Sequence, residues 1–228
     1  MTTGTTDAAV AAWREAHERV CALVLAVGDE RMEVRVPATP AWSARDLLSH
    51  MVGLGADVLD GNEPDDHGEE WTAAQVEARR GRDVGTLVDE WRSLAPDLVQ
   101  WMTAHGTRPL GDVIIHEHDL RGALGEPGGR SGAGVEIVLD RMLGRVAQAG
   151  DGLPPLGLDD GARVRVTSGR PEDAAVLLRA DTVDLLRAVT ARRTADEVRA
   201  LVVRGDVTPW LPALAGLGPL PEQPLPGG

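Results

Sequence analysis

"GDVIIHEHDLRGALG", residues Gly111–Gly125, is the stretch on which the reading of this chain turns. It follows Pro109, a residue suited to the first turn of a helix, and ends among the helix-stopping glycines Gly122 and Gly125. At roughly 100° per residue, Asp112 and His116 fall on one face, one turn apart. Asp119 lies on the same side, close enough to orient the His116 ring. His118 projects roughly opposite, near Ile114. The phase therefore separates the two histidines and places Asp112 with His116.

Upstream, "TPAWSARDLLSHMVG" (Thr39–Gly53) opens a second helix. Ser43 is a good N-cap, and Asp46 three residues on gives a box-like start. The helix runs to about residue 59, with Leu47, Met51, Leu54 and Val58 as its buried stripe. His50 sits at the edge of that stripe, pointing to the interior. Residues 7–27 carry Trp13, Val20, Val24 and Val27 at helical spacing, and residues 84–104 carry Leu87, Trp91, Leu94, Leu98 and Trp101. Four amphipathic helices imply a four-helix bundle. "DGNEPDDHGEE" (Asp60–Glu70) reads as a solvated acidic loop.

The texture changes at the Gly/Pro-rich "GEPGGRSGAG" (Gly125–Gly134), a linker. A helix over residues 135–149 precedes the turn-like "LPPLGLDDG". "ARVRVTSG" alternates like a strand, with "AAVLLRA" as its partner. "TVDLLRAVTARR" is helical, "RALVVRGD" strand-like, and "WLPALAGLG" a short helix. The fold class expected is an α bundle over residues 1–126, then a small α+β domain over 135–218 and a flexible tail over 219–228.

A histidine from the second helix and an Asp-x-x-x-His pair from the fourth can converge inside a bundle. His50, Asp112 and His116 then offer two nitrogens and one carboxylate oxygen. Three protein ligands leave positions open, the pattern of a catalytic zinc site rather than a structural one. Nickel or ferrous iron accepts similar ligands. Each residue also has a plainer reading. Asp and His four apart are common helix neighbours, and His50 alone suits a hydrogen-bonded interior histidine. His17 shares a face with Trp13 and Val20, which fits a core histidine, a pocket liner or a replacement ligand. His67 falls in the acidic loop, and His105 at a helix end fits a cation or C-cap role.

The net charge of −13 argues against nucleic acid and anionic membrane surfaces as partners. All strong positive charge is Arg, for the sequence contains no Lys. One cysteine, Cys21, excludes an intramolecular disulfide framework and reads as a buried apolar residue in a reducing compartment. No apolar run reaches membrane-span length, and the start lacks the form of a secretory signal, so a cytoplasmic location is expected. There is no Gly-rich phosphate loop, no G-x-S-x-G elbow, no C-x-x-C pair and no repeated Glu-x-x-His.

These segments resemble a known family. "TPAWSARDLLSHMVG" is similar to the Pro-x-x-Trp-[Ser/Thr]-x-x-Asp-Leu-x-x-His stretch of the mycothiol-dependent maleylpyruvate isomerase family, within the DinB-like metalloenzymes. "GDVIIHEHDLRGALG" resembles its second metal stretch, and "WTAAQVEARRGRDVGTLVDEW" its middle segment. "TSGRPEDAAVLLRADTVDLLRAVTARRTADEVRALVVRGD" resembles its sterol-carrier-like C-terminal domain, so the likeness spans about residues 7–216.

The resemblance implies a DinB-like bundle with His50, Asp112 and His116 as metal ligands, most simply for zinc. The family often has Glu where Asp112 stands. It implies an active-site arginine, with Arg204 the candidate and Arg193 behind it. It also implies a pocket lined from the segment 75–80, with Gln75 and Arg79 touching the cofactor. Mycothiol, a low-molecular-weight thiol, would be the cosubstrate, for isomerisation or S-transfer on a small electrophile. The alternatives are a thiol-independent activity such as metal-assisted hydrolysis, or a non-catalytic binding or stress protein. The partners expected are small molecules, with the chain a monomer or homodimer.

Overall fold

The computed structural model describes residues 3–64 and 67–227. They divide into two units, one running up to Gly129 and the other spanning Arg130–Leu225. The first is helical: α1 (Thr3–Val27), α2 (Ala44–Asp60), α3 (Glu69–Glu77), α4 (Val84–His105) and α5 (Pro109–Leu124). α1 packs on α4 and α5, and α2 packs on the same two. The four long helices thus form a bundle with α1 and α2 on one diagonal. Trp13, Val20, Leu47, Met51, Leu87, Trp91, Leu98 and Ile114 fill its core. Leu54 is only half-buried, and Leu48, Val52 and Gly55 share the buried face of α2 instead.

The helix ends follow local chemistry. The Ser43 hydroxyl accepts from the Asp46 N–H at 3.1 Å, and the Asp46 carboxylate accepts from the Ser43 N–H at 2.9 Å, a complete capping box. α2 stops at Gly61, whose φ of 69° is left-handed and costs a glycine least. α5 starts on Pro109 and stops at Gly125, also left-handed.

α3 is a helix the sequence pattern does not announce. It has little one-sided apolar character and is held by docking on α2, where Gly53 permits close approach. A Cβ on Gly53 would lie 2.5 Å from the Gln75 Cβ. α3 begins at Glu69, inside the stretch expected to be loop. Asp65 and Asp66 lie outside the described residues. Glu63 and His67 are tethered rather than simply solvated: Glu63 pairs with Arg108, and the His67 ring nitrogen lies 3.0 Å from it.

α5 is buried on nearly all sides, with Val113, Ile114, Glu117, His118, Asp119 and Leu120 inaccessible. Glu117 is fully buried, and a buried carboxylate persists only when paired. It accepts from Arg19 Nε and Nη2 of α1 at 2.9 and 2.7 Å, and from Arg121 Nε at 3.1 Å. This fork fixes the rotation of α5 about its own axis, and so the direction of Asp112 and His116.

The second unit holds α6 (Ala133–Ala149), β1 (Leu156–Asp159), β2 (Val164–Val166), β3 (Val176–Arg179), α7 (Thr182–Val189), α8 (Ala195–Ala200), β4 (Val202–Arg204) and α9 (Leu211–Leu214). The sheet order is β2-β1-β3-β4, with β1 parallel to β3 and the other pairs antiparallel. α6 packs on α7 and α9. This corrects two expectations. "LGLD", read as part of a turn, is the interior strand β1, and β2 pairs with β1 rather than with β3. β1 is buried at all four positions, so it shows no alternation, and its Pro and Asp-Asp-Gly flanks hide it.

Candidate metal centre

α2 and α5 bring three donors together. His50 Nε2 lies 3.2 Å from Asp112 Oδ1, and His116 Nε2 lies 3.4 Å from the same oxygen. Among the described residues, His50, Asp112 and His116 form the cluster whose donor atoms all fall within 4.8 Å of one another. The two rings meet edge to face, with centroids 5.2 Å apart. All three side chains are largely shielded, at 6, 14 and 13% exposure for His50, Asp112 and His116.

Each ring is held from behind. His50 Nδ1 is 2.7 Å from Gln75 Oε1, and the Gln75 amide nitrogen donates to Asp57 Oδ2 at 2.7 Å. His116 Nδ1 is 3.1 Å from Asp119 Oδ2, the oriented pair expected from their spacing. When both Nδ1 atoms donate backwards, both Nε2 lone pairs face a carboxylate oxygen. Acceptors that close repel unless a cation stands among them, either a proton or a metal ion.

The electrostatics agree. Burial disfavours charge on Asp112 most, yet His116 and His50 outweigh it and hold the carboxyl below its usual range. Burial likewise opposes the charged form of His50, but Asp112 and the hydrogen bonds to Asp112 and Gln75 overcome it and raise its pKa. A tetrahedral ion with bonds of about 2.0–2.1 Å separates its donors by roughly 3.4 Å, which matches the two contacts to Asp112. The donor set thus fits zinc or a similar divalent ion.

Trp42 covers His50 from outside, with ring centroids 5.1 Å apart. It also borders an open surface groove of about 550 Å³ lined by Arg35, Asp46, Val76, Glu77 and Arg80, among others, and by none of the three cluster residues. Gln75 and Arg79 point inward. Gln75 backs His50, while Arg79 is buried and donates to Glu90 Oε1 at 2.6 Å and to the Gln75 carbonyl at 3.2 Å. Arg204 stands exposed on β4 in the second unit, and Arg193 there pairs with Asp184.

The other histidines sort themselves. His17 is buried, stacks on Trp13 with centroids 5.0 Å apart and meets the Trp91 edge at 4.5 Å. Burial lowers its pKa, the behaviour of a neutral core histidine. His118, on the face away from the cluster, is buried. His105, the last residue of α4, stacks on Trp101 and lies 3.1 Å from its carbonyl oxygen. The role of Asp57 escapes sequence reading, since a carboxylate two turns along α2 looks like one more surface charge.

Residues 13–116 match the family described as the mycothiol maleylpyruvate isomerase N-terminal domain. The matched segment contains His50, Asp112 and His116. The fold is similar to a crystal structure of the mycothiol-dependent maleylpyruvate isomerase carrying a histidine-to-alanine substitution. The TM-score is 0.53 at 11% identity, covering 89% of this chain and 92% of that one. A search of curated protein sequences found no match. The part of the helical unit that carries the candidate metal cluster is thus similar, in sequence and in fold, to the mycothiol maleylpyruvate isomerase N-terminal domain.

Proposed function

We propose that this protein is a metal-dependent enzyme that uses a low-molecular-weight thiol, mycothiol by family resemblance, on a small electrophile. The observation that carries the reading is the clustering of two histidine ring nitrogens and one shielded carboxylate oxygen within 4.8 Å of one another. His50, Asp112 and His116 would hold the ion, with zinc the simplest choice and nickel or ferrous iron accepting the same donors. Once bound, such an ion supplies Lewis acidity that favours thiolate over thiol at neutral pH.

The chain's own residues do the rest. Gln75 and Asp119 keep the two rings aimed, and Trp42 shields His50 from bulk water. The groove beside Trp42 is the proposed place for the organic part of a ligand. Arg204 is the proposed holder of a substrate carboxylate, since a guanidinium binds one bidentately. In an isomerisation the thiolate sulfur would bond one carbon of a double bond conjugated to a carbonyl, and the π pair would move onto the carbonyl oxygen as an enolate. The former double bond rotates, and sulfur then leaves with the electron pair it brought. In an S-transfer the enolate carbon would instead take a proton from water, and the thioether adduct would leave.

Elemental analysis of the purified protein is expected to find about one divalent ion per chain, lost in His50→Ala and His116→Ala. Metal-loaded protein given mycothiol and a panel of electrophiles should yield an isomer or an adduct mass. A chain that neither retains nor rebinds metal overturns the metal reading. Turnover undiminished without thiol overturns the thiol reading. An unchanged KM for carboxylated substrates in Arg204→Ala removes that residue from the scheme.

A further inference from the structure

We propose that Asp57 and Gln75 are positioning residues that lock His50 in its Nδ1–H tautomer and so present its Nε2 lone pair to the cluster. The inference rests on the metal reading for its purpose, though not for its geometry. A neutral imidazole carries one proton, on either nitrogen, and only the unprotonated nitrogen can ligate. Something must choose between the two, and against the pull of Asp112 Oδ1, which lies 3.2 Å from Nε2 and accepts a proton placed there.

The choice is made by a chain of hydrogen bonds running back through α2 and α3. A glutamine amide can face a histidine with either end, so Gln75 alone settles nothing. Asp57 settles it. An ionised carboxylate only accepts, so the end of Gln75 at 2.7 Å from Asp57 Oδ2 must be the NH2 group. The oxygen is then turned to His50 Nδ1, also at 2.7 Å, and Nδ1 must donate.

Asp57 is itself held. Its other oxygen accepts from the Asn62 side-chain amide at 3.0 Å, and its backbone carbonyl accepts from the Asn62 N–H at 2.8 Å. The Asn62 carbonyl takes the Trp71 indole N–H at 2.9 Å, tying the end of α2 to α3. Gly53 completes the arrangement, because any Cβ there would push Gln75 away from His50.

The variant Asp57→Asn has a directed consequence. The new amide no longer only accepts, so it can turn its NH2 group to Gln75 while its oxygen keeps the Asn62 contact. The Gln75 amide must then flip, turning its own NH2 to His50 Nδ1 and moving the ring proton to Nε2. The double variant Asp57→Asn/Gln75→Glu reverses this, since a carboxylate at 75 again accepts from Nδ1. General disruption of the α2–α3 contact would not be rescued in this way.

The test reads two quantities. Nitrogen-15 NMR of the metal-free protein, at a pH where the ring is neutral, assigns the His50 tautomer. Titration with zinc, and the visible spectrum with cobalt, report affinity and coordination. The wild type should show Nδ1–H, Asp57→Asn a shift toward Nε2–H, and the double variant Nδ1–H again. Zinc affinity should fall roughly 10–100-fold in Asp57→Asn and largely recover in the double variant. Gly53→Ala should weaken zinc binding with every hydrogen-bonding group still present.

An Nε2–H tautomer in the wild type overturns the proposal, as does Asp57→Asn with tautomer and affinity unchanged, or a double variant no better than the single. The expected tautomer pattern in a protein that binds no metal would sustain the positioning chain and overturn the metal reading instead.

Discussion

Replacing Glu117 with Gln tests whether the ion pair behind the cluster holds α5 in place. Glu117 is fully buried, whereas Arg121 is 11% and Arg19 33% exposed at the side chain. Removing one partner of a buried pair costs about 3–5 kcal/mol, because the remaining charge is left desolvated. Here both cations can turn partly to water, and the glutamine oxygen still accepts, so the cost falls to roughly 2–3 kcal/mol. At about 2–4 °C of midpoint per kcal/mol, the first unit should melt roughly 4–12 °C lower. Urea unfolding followed by tryptophan fluorescence reads this, since Trp13 and Trp91 are buried in the same bundle. Glu126→Gln is the control: Glu126 is 41% exposed and its Arg31 partner 51%, so its loss should cost under ~1 kcal/mol. Equal, small losses in both variants would refute the claim that the buried fork holds α5.

The remaining predictions concern other parts of the chain. Cys21 is fully buried and its thiol is pushed up to about 11 by burial, so it should resist alkylation at pH 8 until the protein is unfolded. Rapid labelling of the native protein would contradict this. In the second unit burial opposes charge on Asp160, but Arg165 and the backbone N–H groups of Arg163 and Ala162 prevail and hold its carboxyl at about 2. A depressed folded pKa stabilises above the unfolded value of about 4 and is lost as pH falls through about 2. Asp160→Asn should therefore lower the melting point of the second unit at pH 6 and make little difference near pH 2. His17→Phe should leave metal content unchanged, because His17 packs between Trp13 and Trp91; loss of metal would return it to the ligand set.

The sequence made some parts of this protein legible because their chemistry is local. Ser43 and Asp46 announce a helix start on their own, and the phase of α5 alone pairs Asp112 with His116. β1 and α3 stayed hidden because their structure is imposed from outside. β1 is covered on both faces, so the alternation that marks a strand is missing, and α3 exists through its seat on Gly53. The same division runs through the cluster. The three donors are visible as residue types at spacings, and so is Asp119 behind His116, yet Gln75 and Asp57 behind His50 come from turns of α3 and α2 that tertiary contact brings together.

The "HEHD" run shows why neighbours in sequence need not share a task. Successive helical residues turn by about 100°, so His116, Glu117, His118 and Asp119 face four directions. His116 meets the cluster, Glu117 meets Arg19 of α1, His118 enters the interior, and Asp119 turns back to the His116 ring. A slip of one residue in this helix would put Glu117 at the cluster and a histidine against Arg19. The buried Glu117–Arg19 pair opposes that slip directly, since Arg19 would then face a ring instead of a carboxylate. The stability device and the candidate metal centre are thus two readouts of one helix rotation. Glu117→Gln should accordingly weaken zinc binding, measured by titration, although residue 117 touches none of the three donors. Zinc affinity identical to wild type in a destabilised Glu117→Gln protein would separate the two and show that the packing of α5 suffices to aim the site.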